Sequence, residues 1–327
     1  MVRKFLASLL LMSMLAACAP AATVAPSQTP VSPTATAVQP TEAVDPTEAP
    51  TADFTDGLGR TITLAGPAQR IITLAPSNTE ILFAIGAGEQ MVGRDELSDY
   101  PAEAADVASI GSTFGPLNTE TIVALKPDLI LAAEVNSPEN VKTLEDLGLN
   151  VFWLANPTDF DGLYANLLTV GALTGRAAEA QTLAEALKAR VQAVTDKTAT
   201  VSTKPNVFYE LDATDPTKPF TVGPGTFMDT LLTLAGGVNV AGAVDNPYPQ
   251  ISSEELVKWN PDLILLGDAV YGVTAESVAA RPGWEAIVAV KNNQIVAFDD
   301  NLASRPSPRL VDGLEILAKL LHPELFK

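Results

Sequence analysis

Apolar and polar positions along this chain form blocks of strand length followed by blocks of helix length. Arg70–Ala75 is an apolar run typical of a buried strand, and the segment behind it keeps helical spacing as far as Ile85. The same order returns in the second half, where Asn206–Leu211 predicts a strand and a helix follows through Leu234. Glycine comes directly after or soon after both helices, as it commonly does at helix C-termini. The pattern predicts alternating strands and helices, and therefore mainly parallel sheets.

One block of this pattern occurs twice. Residues 118–131 align without a gap on residues 252–265, and each copy reads as a helix N-cap, a short amphipathic helix, a Pro-Asp pair and an apolar run. Proline cannot continue the helix, and the run behind it has the length of a strand covered on both faces. A single copy could be chance, whereas two gapless copies predict two lobes of similar build.

A long helix is predicted between the two lobes. The segment from Arg176 to about Lys197 is rich in alanine and leucine, has apolar positions at helical spacing and contains neither proline nor glycine. We therefore predict an α/β fold of two lobes, each with a mainly parallel sheet flanked by helices, joined by one long rigid helix. The predicted boundaries are 52–172 for the N-terminal lobe, 173–200 for the connecting helix and 201–327 for the C-terminal lobe. Two lobes on a stiff connector define a cleft that closes only slightly.

The N-terminus has the pattern of a targeting signal. A basic start precedes the short apolar run Phe5–Leu15, and Ala-Ala-Cys18 follows it. This resembles a bacterial lipoprotein signal, which predicts a signal peptide over residues 1–17 and a lipid on Cys18. The alternative is an ordinary secretory peptide with an incidental cysteine. Residues 18–51 are rich in proline, threonine and alanine and have little to bury, so we expect a tether that holds an extracytoplasmic protein off the membrane.

Charge and composition exclude several classes of function. The net charge of −19 argues against nucleic acid and against electrostatic binding to anionic lipid. Cys18 is the only cysteine and His322, in the C-terminal tail where we expect it to be solvated, is the only histidine, so neither a disulfide nor a transition-metal site is expected. No nucleophile elbow or phosphate-loop fingerprint is present. The sequence predicts a protein that is not an enzyme and holds no metal or cofactor.

Three segments carry a family resemblance. Asp56–Arg60, Arg70–Glu80 and Leu117–Leu131 resemble the cluster of ABC-importer binding proteins that carry ferric siderophores, haem and cobalamin, and the likeness extends over nearly all of residues 52–327. The resemblance implies a solute-binding protein that captures a small molecule between its lobes and delivers it to a permease dimer with its ATPase. It implies a monomer without catalytic activity. An adhesion module or a secreted hydrolase on the same scaffold is the alternative of another class.

Within this cluster the cobalamin-binding members are the most similar. The segments that resemble theirs are Ser98–Pro101, Lys218–Gly223, Tyr248–Ser252 and Ser307–Arg309. This chain departs from them in having fewer aromatic residues, since Leu97 and Phe114 stand at two of the positions that face the ligand and no aromatic residue lies near Ala133-Glu134. The resemblance therefore implies cobalamin or a related corrinoid, with a ferric siderophore or haem as the alternative.

Two glutamates occupy the same position in the two copies of the repeat. Glu120 and Glu254 both lie in the first turn of a predicted helix, where acidic side chains are favoured by the helix dipole alone by ~0.3–1 kcal/mol. The family resemblance implies a second role, in which one glutamate of each lobe docks into an arginine pocket of each permease subunit. Charge pairs of this kind set orientation and association rate more than affinity.

Six residues are predicted to bind the ligand. Phe114, Phe220 and Tyr248 lie in loops among glycine and proline, where aromatic residues often line a site, although they could instead close the ends of each lobe's core. Arg305 matches a polar residue of the family's cleft. The other two predicted ligand-binding residues are Ser77 and Asn78.

Two neighbouring positions leave the choice between binding and structure open. Ser77 and Asn78 lie between a strand and a helix, where backbone donors can converge on a ligand, but Asn78 could equally be a simple N-cap. Arg309 follows Arg305 closely, and we expect it to form an internal ion pair instead of binding the ligand.

Overall fold

The computed structural model describes residues 51–327. The predicted signal peptide, Cys18 and nearly all of the predicted tether lie outside the described residues. The strands are β1 Ala52–Thr55, β2 Thr61–Leu64, β3 Ile71–Thr73, β4 Met91–Arg94, β5 Leu129–Ala133, β6 Val151–Leu154, β7 Asn206–Glu210, β8 Val238–Asn239, β9 Leu263–Leu266 and β10 Ile295–Ala297. The α-helices are α1 Pro76–Ala84, α2 Thr119–Ala124, α3 Pro138–Asp146, α4 Phe160–Thr174, α5 Ala177–Thr198, α6 Phe227–Leu234, α7 Ser253–Trp259, α8 Ala275–Ala279, α9 Val288–Lys291, α10 Asn301–Ser304 and α11 Leu310–Leu321.

Each lobe is built on a four-stranded parallel sheet. The strand order is β4-β3-β5-β6 in the N-terminal lobe and β10-β9-β7-β8 in the C-terminal lobe, and every neighbouring pair in both sheets is parallel. When the four strands of each sheet are counted in chain order, the first strand lies between the second and the third in both sheets. The two lobes therefore share one topology. The predicted α/β fold of two similar lobes is confirmed. Since ligands of open parallel sheets bind outside the carboxyl ends of the strands, these ends mark where a site is expected.

The repeated block forms the same structure in both lobes. Asn118 and Ser252 cap α2 and α7, each accepting a hydrogen bond at 3.2 Å from the backbone N–H three residues on. Both helices end before a residue with positive φ, Lys126 at 49° and Asn260 at 48°. The proline that follows prevents the helix from continuing.

The aspartate of each Pro-Asp pair joins two strands. The Asp128 carboxylate accepts hydrogen bonds from the backbone N–H of Gln69 at 2.8 Å and of Arg70 at 2.9 Å, directly before β3. The Asp262 carboxylate accepts one at 2.8 Å from the backbone N–H of Asn206, the first residue of β7. The repeat therefore fixes the start of the central strand pair in each sheet.

The connecting helix is α5, and it packs against both lobes. Gly175, at φ +73°, ends α4, and the chain turns at once into α5. Helix α5 lies against α4 on one side and against α11 on the other. Arg190 of α5 donates to Glu315 at 2.8 Å and to Asp312 at 2.6 Å on α11. The long rigid connector is confirmed; the exact lobe boundaries remain a prediction.

The hydrophobic core runs from one lobe into the other. A single cluster of buried side chains includes Leu131 of the first sheet, Leu167 of α4, Leu187 of α5, Tyr209 of the second sheet and Leu314 of α11. Such a shared core resists hinge motion because opening would expose apolar surface, at ~25 cal/mol per Å². Limited lobe closure remains a prediction.

The structure has one local feature that the sequence did not predict and one that contradicts a prediction. An antiparallel hairpin, β1-β2, precedes the first parallel sheet. Its turn is held by Asp56, which accepts hydrogen bonds from Leu58 N at 2.9 Å and Arg60 N at 3.0 Å. The expectation of a solvated His322 is wrong, because its ring is buried and its Nε2 lies 3.1 Å from the Gly236 carbonyl oxygen. The ring fills the space beside Gly236, where a Cβ would lie only 2.7 Å from the His322 Nε2.

Candidate ligand-binding cleft

A cavity of about 320 Å³ lies between the lobes. The N-terminal lobe contributes Glu134, directly after β5, and residues 156–158, just after β6. The C-terminal lobe contributes Leu211, directly after β7, the start of α6 and the loop that holds Tyr248. The cavity therefore lies at the carboxyl ends of strands from both sheets, where the shared topology places a ligand site. Its volume is at the lower end of the range for small-molecule pockets, ~300–1,000 Å³.

Three aromatic residues line the cavity, Phe227 and two tyrosines. Tyr248 is the one predicted aromatic residue that lines it, and its ring is 54% exposed. Tyr209 lies at the base, fully buried, with its hydroxyl donating to Asp300. Burial raises the pKa of both phenols, and the nearby carboxylates of Asp300 and, for Tyr248, Glu134 raise it further. Both rings are therefore neutral hydrogen-bonding groups at physiological pH.

The charged groups that line the cavity are acidic. Glu134 and Asp300 face it from opposite lobes, and none of its described lining residues is lysine, arginine or histidine. Glu134 is held in place by the Asn156 backbone N–H, which donates to its Oε2 at 3.2 Å. Such a surface attracts neutral or cationic ligands with hydrogen-bond donors and repels anions.

Arg305 faces a cluster of ionised groups instead of this cavity. Its guanidinium donates to Asp99 at 2.5 Å and to Glu80 at 3.2 Å. Arg309 donates to the same Glu80 at 2.9 and 2.5 Å, and Ser307 donates to it at 2.5 Å. The expected internal ion pair of Arg309 is confirmed. Since Glu80 belongs to α1 and its partners to the segment before α11, this cluster ties the two lobes together beside the cleft.

The other predicted aromatic residues lie away from the cavity lining. Phe220 is partly exposed. Its backbone forms antiparallel bridges with Asp212 and with Gln250, which lies two residues after Tyr248. Phe114 is 64% exposed in a loop of the N-terminal lobe. Both stay predicted ligand contacts, since a ligand larger than the cavity would extend over neighbouring loops.

Ser77 and Asn78 are turned into the N-terminal lobe. Both are buried in the first turn of α1, and the Asn78 side-chain amide donates to the Leu131 carbonyl oxygen at 3.1 Å. The N-cap of α1 is Ala75, so the alternative of Asn78 as the cap is wrong. Their role as ligand contacts remains a prediction, although this amide already ties α1 to β5.

Glu120 and Glu254 are matched in structure as in sequence. Each is the second residue of its helix, α2 or α7, and each side chain is exposed. Neither carboxylate has a salt-bridge partner within residues 51–327. Both are available to a partner protein, and their docking role remains a prediction.

Several cavity residues were missed from the sequence. These are Glu134, residues 156–158, Tyr209 and Asp300. A usable signal was present for Glu134, because it directly follows an apolar run that predicts a parallel strand. Asp300 lies three residues after β10, and its contact with Tyr209 of β7 joins segments that are far apart in the sequence.

The chain belongs to the periplasmic binding protein family, whose sequence pattern matches residues 71–302. Among its relatives, an uncharacterized ABC transporter substrate-binding lipoprotein of Bacillus subtilis is 34% identical over 83% of this chain and 86% of its own length. A cobalamin-binding protein of Halobacterium salinarum is 30% identical over 82% of this chain and 73% of its own length. The family resemblance drawn from the sequence is confirmed.

Solved structures share the fold over nearly their whole length. The periplasmic vitamin B12-binding protein of Vibrio cholerae has a TM-score of 0.67 and 29% identity, covering 80% of this chain and 99% of that one. A periplasmic haem-binding protein of Roseiflexus has a TM-score of 0.71 and 27% identity, covering 79% and 99%. The chain is therefore a solute-binding protein and not an enzyme.

Within residues 51–327, the helices are too short or too polar to cross a bilayer. In the same part of the chain no group of three or more histidine, cysteine, aspartate or glutamate side chains is placed to hold a metal ion.

Proposed function

We propose that this protein captures cobalamin or a related corrinoid in the interlobe cleft and delivers it to the permease of an ABC importer. The observation that carries the proposal is a cavity at the carboxyl ends of both sheets, lined by tyrosine and carboxylate side chains and by no basic side chain. A corrinoid is rich in amide groups, whose N–H donors match these acceptors. Relatives named as cobalamin-binding support the same ligand class.

Haem and ferric siderophores are the second candidates, because structural neighbours are named for both. The charge of the cavity favours the corrinoid over haem. Haem carries two anionic propionates, which Glu134 and Asp300 would repel. The need of haem iron for an axial ligand does not separate the two candidates, because Met228 lines the cavity.

The ligand is tested by calorimetric titration of the full chain with cobalamin, cobinamide, haem and a panel of ferric siderophores. We expect micromolar affinity or better for a corrinoid, with an apparent stabilisation of about 2.7 kcal/mol at 100 times the dissociation constant. Tyr248→Ala should weaken binding about tenfold, the effect of removing an aromatic contact. Leu147→Ala, which removes a 51% exposed apolar side chain of the N-terminal lobe that does not line the cavity, is the control.

The outcomes separate the candidates. Corrinoid binding without siderophore binding supports the proposal, and binding of haem or a siderophore alone would keep the transport mechanism and replace the ligand. If nothing on the panel binds while the protein retains a cell-wall polymer, the adhesion module becomes the better hypothesis. A hydrolase is disfavoured already, because the family and the relatives are binding proteins.

We infer that a lipid on Cys18 anchors the protein to the cell membrane on its extracytoplasmic side. The lipoprotein-type pattern before Cys18 supports this, as does the Bacillus subtilis relative named as a lipoprotein. Cys18→Ala in the full chain should abolish incorporation of labelled palmitate and release the protein from the membrane fraction. Retention of both in the variant would contradict the anchor.

A further inference from the structure

A second cavity of about 600 Å³ adjoins the cleft within the C-terminal lobe. The two cavities share Leu211 and Asp300 in their walls. The second one, which we call the acidic chamber, is lined on the far side by the turn that follows β9, Gly267–Tyr271. The chamber therefore lies next to the cleft, with Leu211 and Asp300 between the two cavities.

Four carboxylates line the acidic chamber, and its described lining residues include no basic side chain. Three of the four are accounted for by hydrogen bonds within the chain, two of them local and one from β7. Asp212 accepts from Thr214 N at 2.7 Å, Asp299 accepts from Asn301 N at 3.1 Å, and Asp300 accepts from the Tyr209 hydroxyl.

The fourth carboxylate, Asp268, is different. It is only 3% exposed, and its Oδ2 accepts a hydrogen bond from Ala213 N at 3.0 Å. Its Oδ1 is buried and has no hydrogen-bond partner within residues 51–327. A buried acceptor without a donor destabilises a protein by ~1–3 kcal/mol, so a group that supplies the donor would bind favourably.

The nearest cation is already engaged. Arg281 pairs through both terminal nitrogens with Glu210, one of them at 2.8 Å, and its guanidinium lies 4.6 Å from the centre of the Trp284 ring. A bidentate pair of this kind leaves the guanidinium little freedom to turn towards Asp268. Asp268, a lining residue of the chamber, therefore keeps one oxygen without a hydrogen-bond partner within residues 51–327.

We propose that the acidic chamber is a subsite for a nitrogen group that donates hydrogen bonds, an amide or an ammonium, carried by the ligand in the cleft. Asp268 Oδ1 is the acceptor, and the carboxylates around it exclude ligand groups that are themselves anionic. A metal cation is a poorer occupant, since no cluster of three potential ligands is formed in the described part of the chain. The inference rests on the proposed use of the cleft for ligand binding, but not on the ligand being a corrinoid.

The first test needs no knowledge of the ligand. The full chain is titrated with n-butylammonium, and with butyrate as the probe of opposite charge, while backbone amide signals are followed by NMR. Butylammonium should shift the signals of Ala213 and Asp268 in a saturable way, and butyrate should not. Asp268→Asn should reduce the response at Ala213 at least fivefold, because the amide has one acceptor and adds a donor of its own. An unresponsive Ala213 in the wild type would overturn the proposal without any variant.

The second test uses cobinamide and the cobinamide derivative in which one peripheral amide has been hydrolysed to a carboxylic acid. Asp268→Asn should weaken cobinamide binding about tenfold, the range expected when a buried hydrogen bond to a charged group is lost. Asp106→Asn, an exposed carboxylate of the other lobe, removes the same charge and should leave the affinity unchanged. Equal affinity of the wild type and Asp268→Asn for cobinamide would overturn the subsite. If cobinamide binds neither protein, the corrinoid proposal fails and the butylammonium titration alone decides the chamber.

Discussion

Glu134 and Asp268 occupy corresponding places in the two lobes, but they have different surroundings. In the gapless alignment of the repeat, each follows the central strand that begins after a Pro-Asp pair. Glu134 is exposed to the cleft and accepts a hydrogen bond from Asn156 N. Asp268 is buried in the wall of the acidic chamber with one oxygen unpaired. The repeated unit fixes where the carboxylate lies, and the neighbouring segments decide what it can do.

The layer beneath these residues also differs between the lobes. The register of β3 on β5 ends with Thr73 opposite Leu131, and extending it by one residue brings Leu74 opposite Ala132. Glu210 lies opposite Leu266, the residue equivalent to Ala132, so Leu74 and Glu210 are counterparts. Leu74 is an ordinary buried apolar residue, whereas Glu210 is a buried charge paired with Arg281. At this position the C-terminal lobe therefore holds a buried charge where the N-terminal lobe has an apolar side chain. Four changes test how far this difference extends, beginning with the one that should cost most.

Glu210→Gln should destabilise the protein by about 3–5 kcal/mol, the usual effect of removing one partner of a buried ion pair. The reason is that Arg281, which is 9% exposed, would keep its charge without a counterion. Urea denaturation followed by circular dichroism measures the loss.

The double variant Glu210→Leu with Arg281→Met is the control for this effect. It makes the layer apolar, as at Leu74 in the other lobe, and should recover most of the lost stability because no unpaired charge remains. A double variant as unstable as the single one would show that packing around Trp284, and not the uncompensated charge, causes the loss.

Glu80→Gln breaks the cluster that joins the lobes and should destabilise the protein by about 1.5–3 kcal/mol, the range for hydrogen bonds to charged groups. The effect should be smaller than at Glu210 because Arg305 keeps Asp99, and because Arg305 and Arg309 retain some contact with water. The same denaturation experiment measures it.

Asp99→Asn is the matched control within the cluster. Asp99 is 68% exposed, so its pair with Arg305 should contribute no more than about 1 kcal/mol. If both variants have equal effects, Glu80 is not the centre of the junction and the lobes are held together chiefly by their shared apolar core.

The pH dependence of Asp268 gives a third test. Burial, and next the Glu210 carboxylate, raise the pKa of Asp268 from 3.8 to about 6, while Arg281 and the Ala213 N–H act in the opposite direction. Because the pKa is raised on folding, the stabilising contribution is present below the ordinary value and is lost as the pH rises through about 6.

Asp268→Asn should therefore match the wild type near pH 4 and become more stable than it above pH 6, by about 1–2 kcal/mol. Denaturation midpoints from pH 4 to pH 8 measure this, and Asp106→Asn should show no such crossover. A constant difference at all pH values would mean that Asp268 titrates normally. A stabilising substitution that weakens ligand binding is the trade-off expected of a binding residue.

The sequence predicted the fold better than the site. Periodicity and the Pro-Asp repeat were sufficient for the two parallel sheets and for α5, because these depend on local patterns. Arg305 was predicted to bind the ligand because it matches a polar residue of the family's cleft, and this role remains a prediction. Its ion pair with Glu80 was not foreseen, because Glu80 lies in the other lobe and cannot be recognised from spacing. Asp300 and Asp268 were missed for the same reason, since their chemistry depends on segments far apart in the chain. His322 looked solvated because nothing near it in sequence indicates the gap beside Gly236.

The outer faces of the lobes provide the fourth comparison, and there the lobes are alike. If Glu120 and Glu254 dock onto equivalent permease subunits, Glu120→Gln and Glu254→Gln should each slow association with the transporter severalfold at low ionic strength, and the effect should shrink as salt is added. The two effects should multiply in the double variant, because distant sites contribute independently.

Glu255→Gln, at the neighbouring exposed position of α7, is the control, because it removes the same charge from the same helix terminus and should change the rate little. Surface plasmon resonance with reconstituted transporter measures the association rate of these four variants against the wild type. If Glu254→Gln and Glu255→Gln have equal effects, Glu254 has no special docking role and only stabilises the start of its helix. If only one lobe's glutamate affects the rate, the structural match between the lobes is not used in docking.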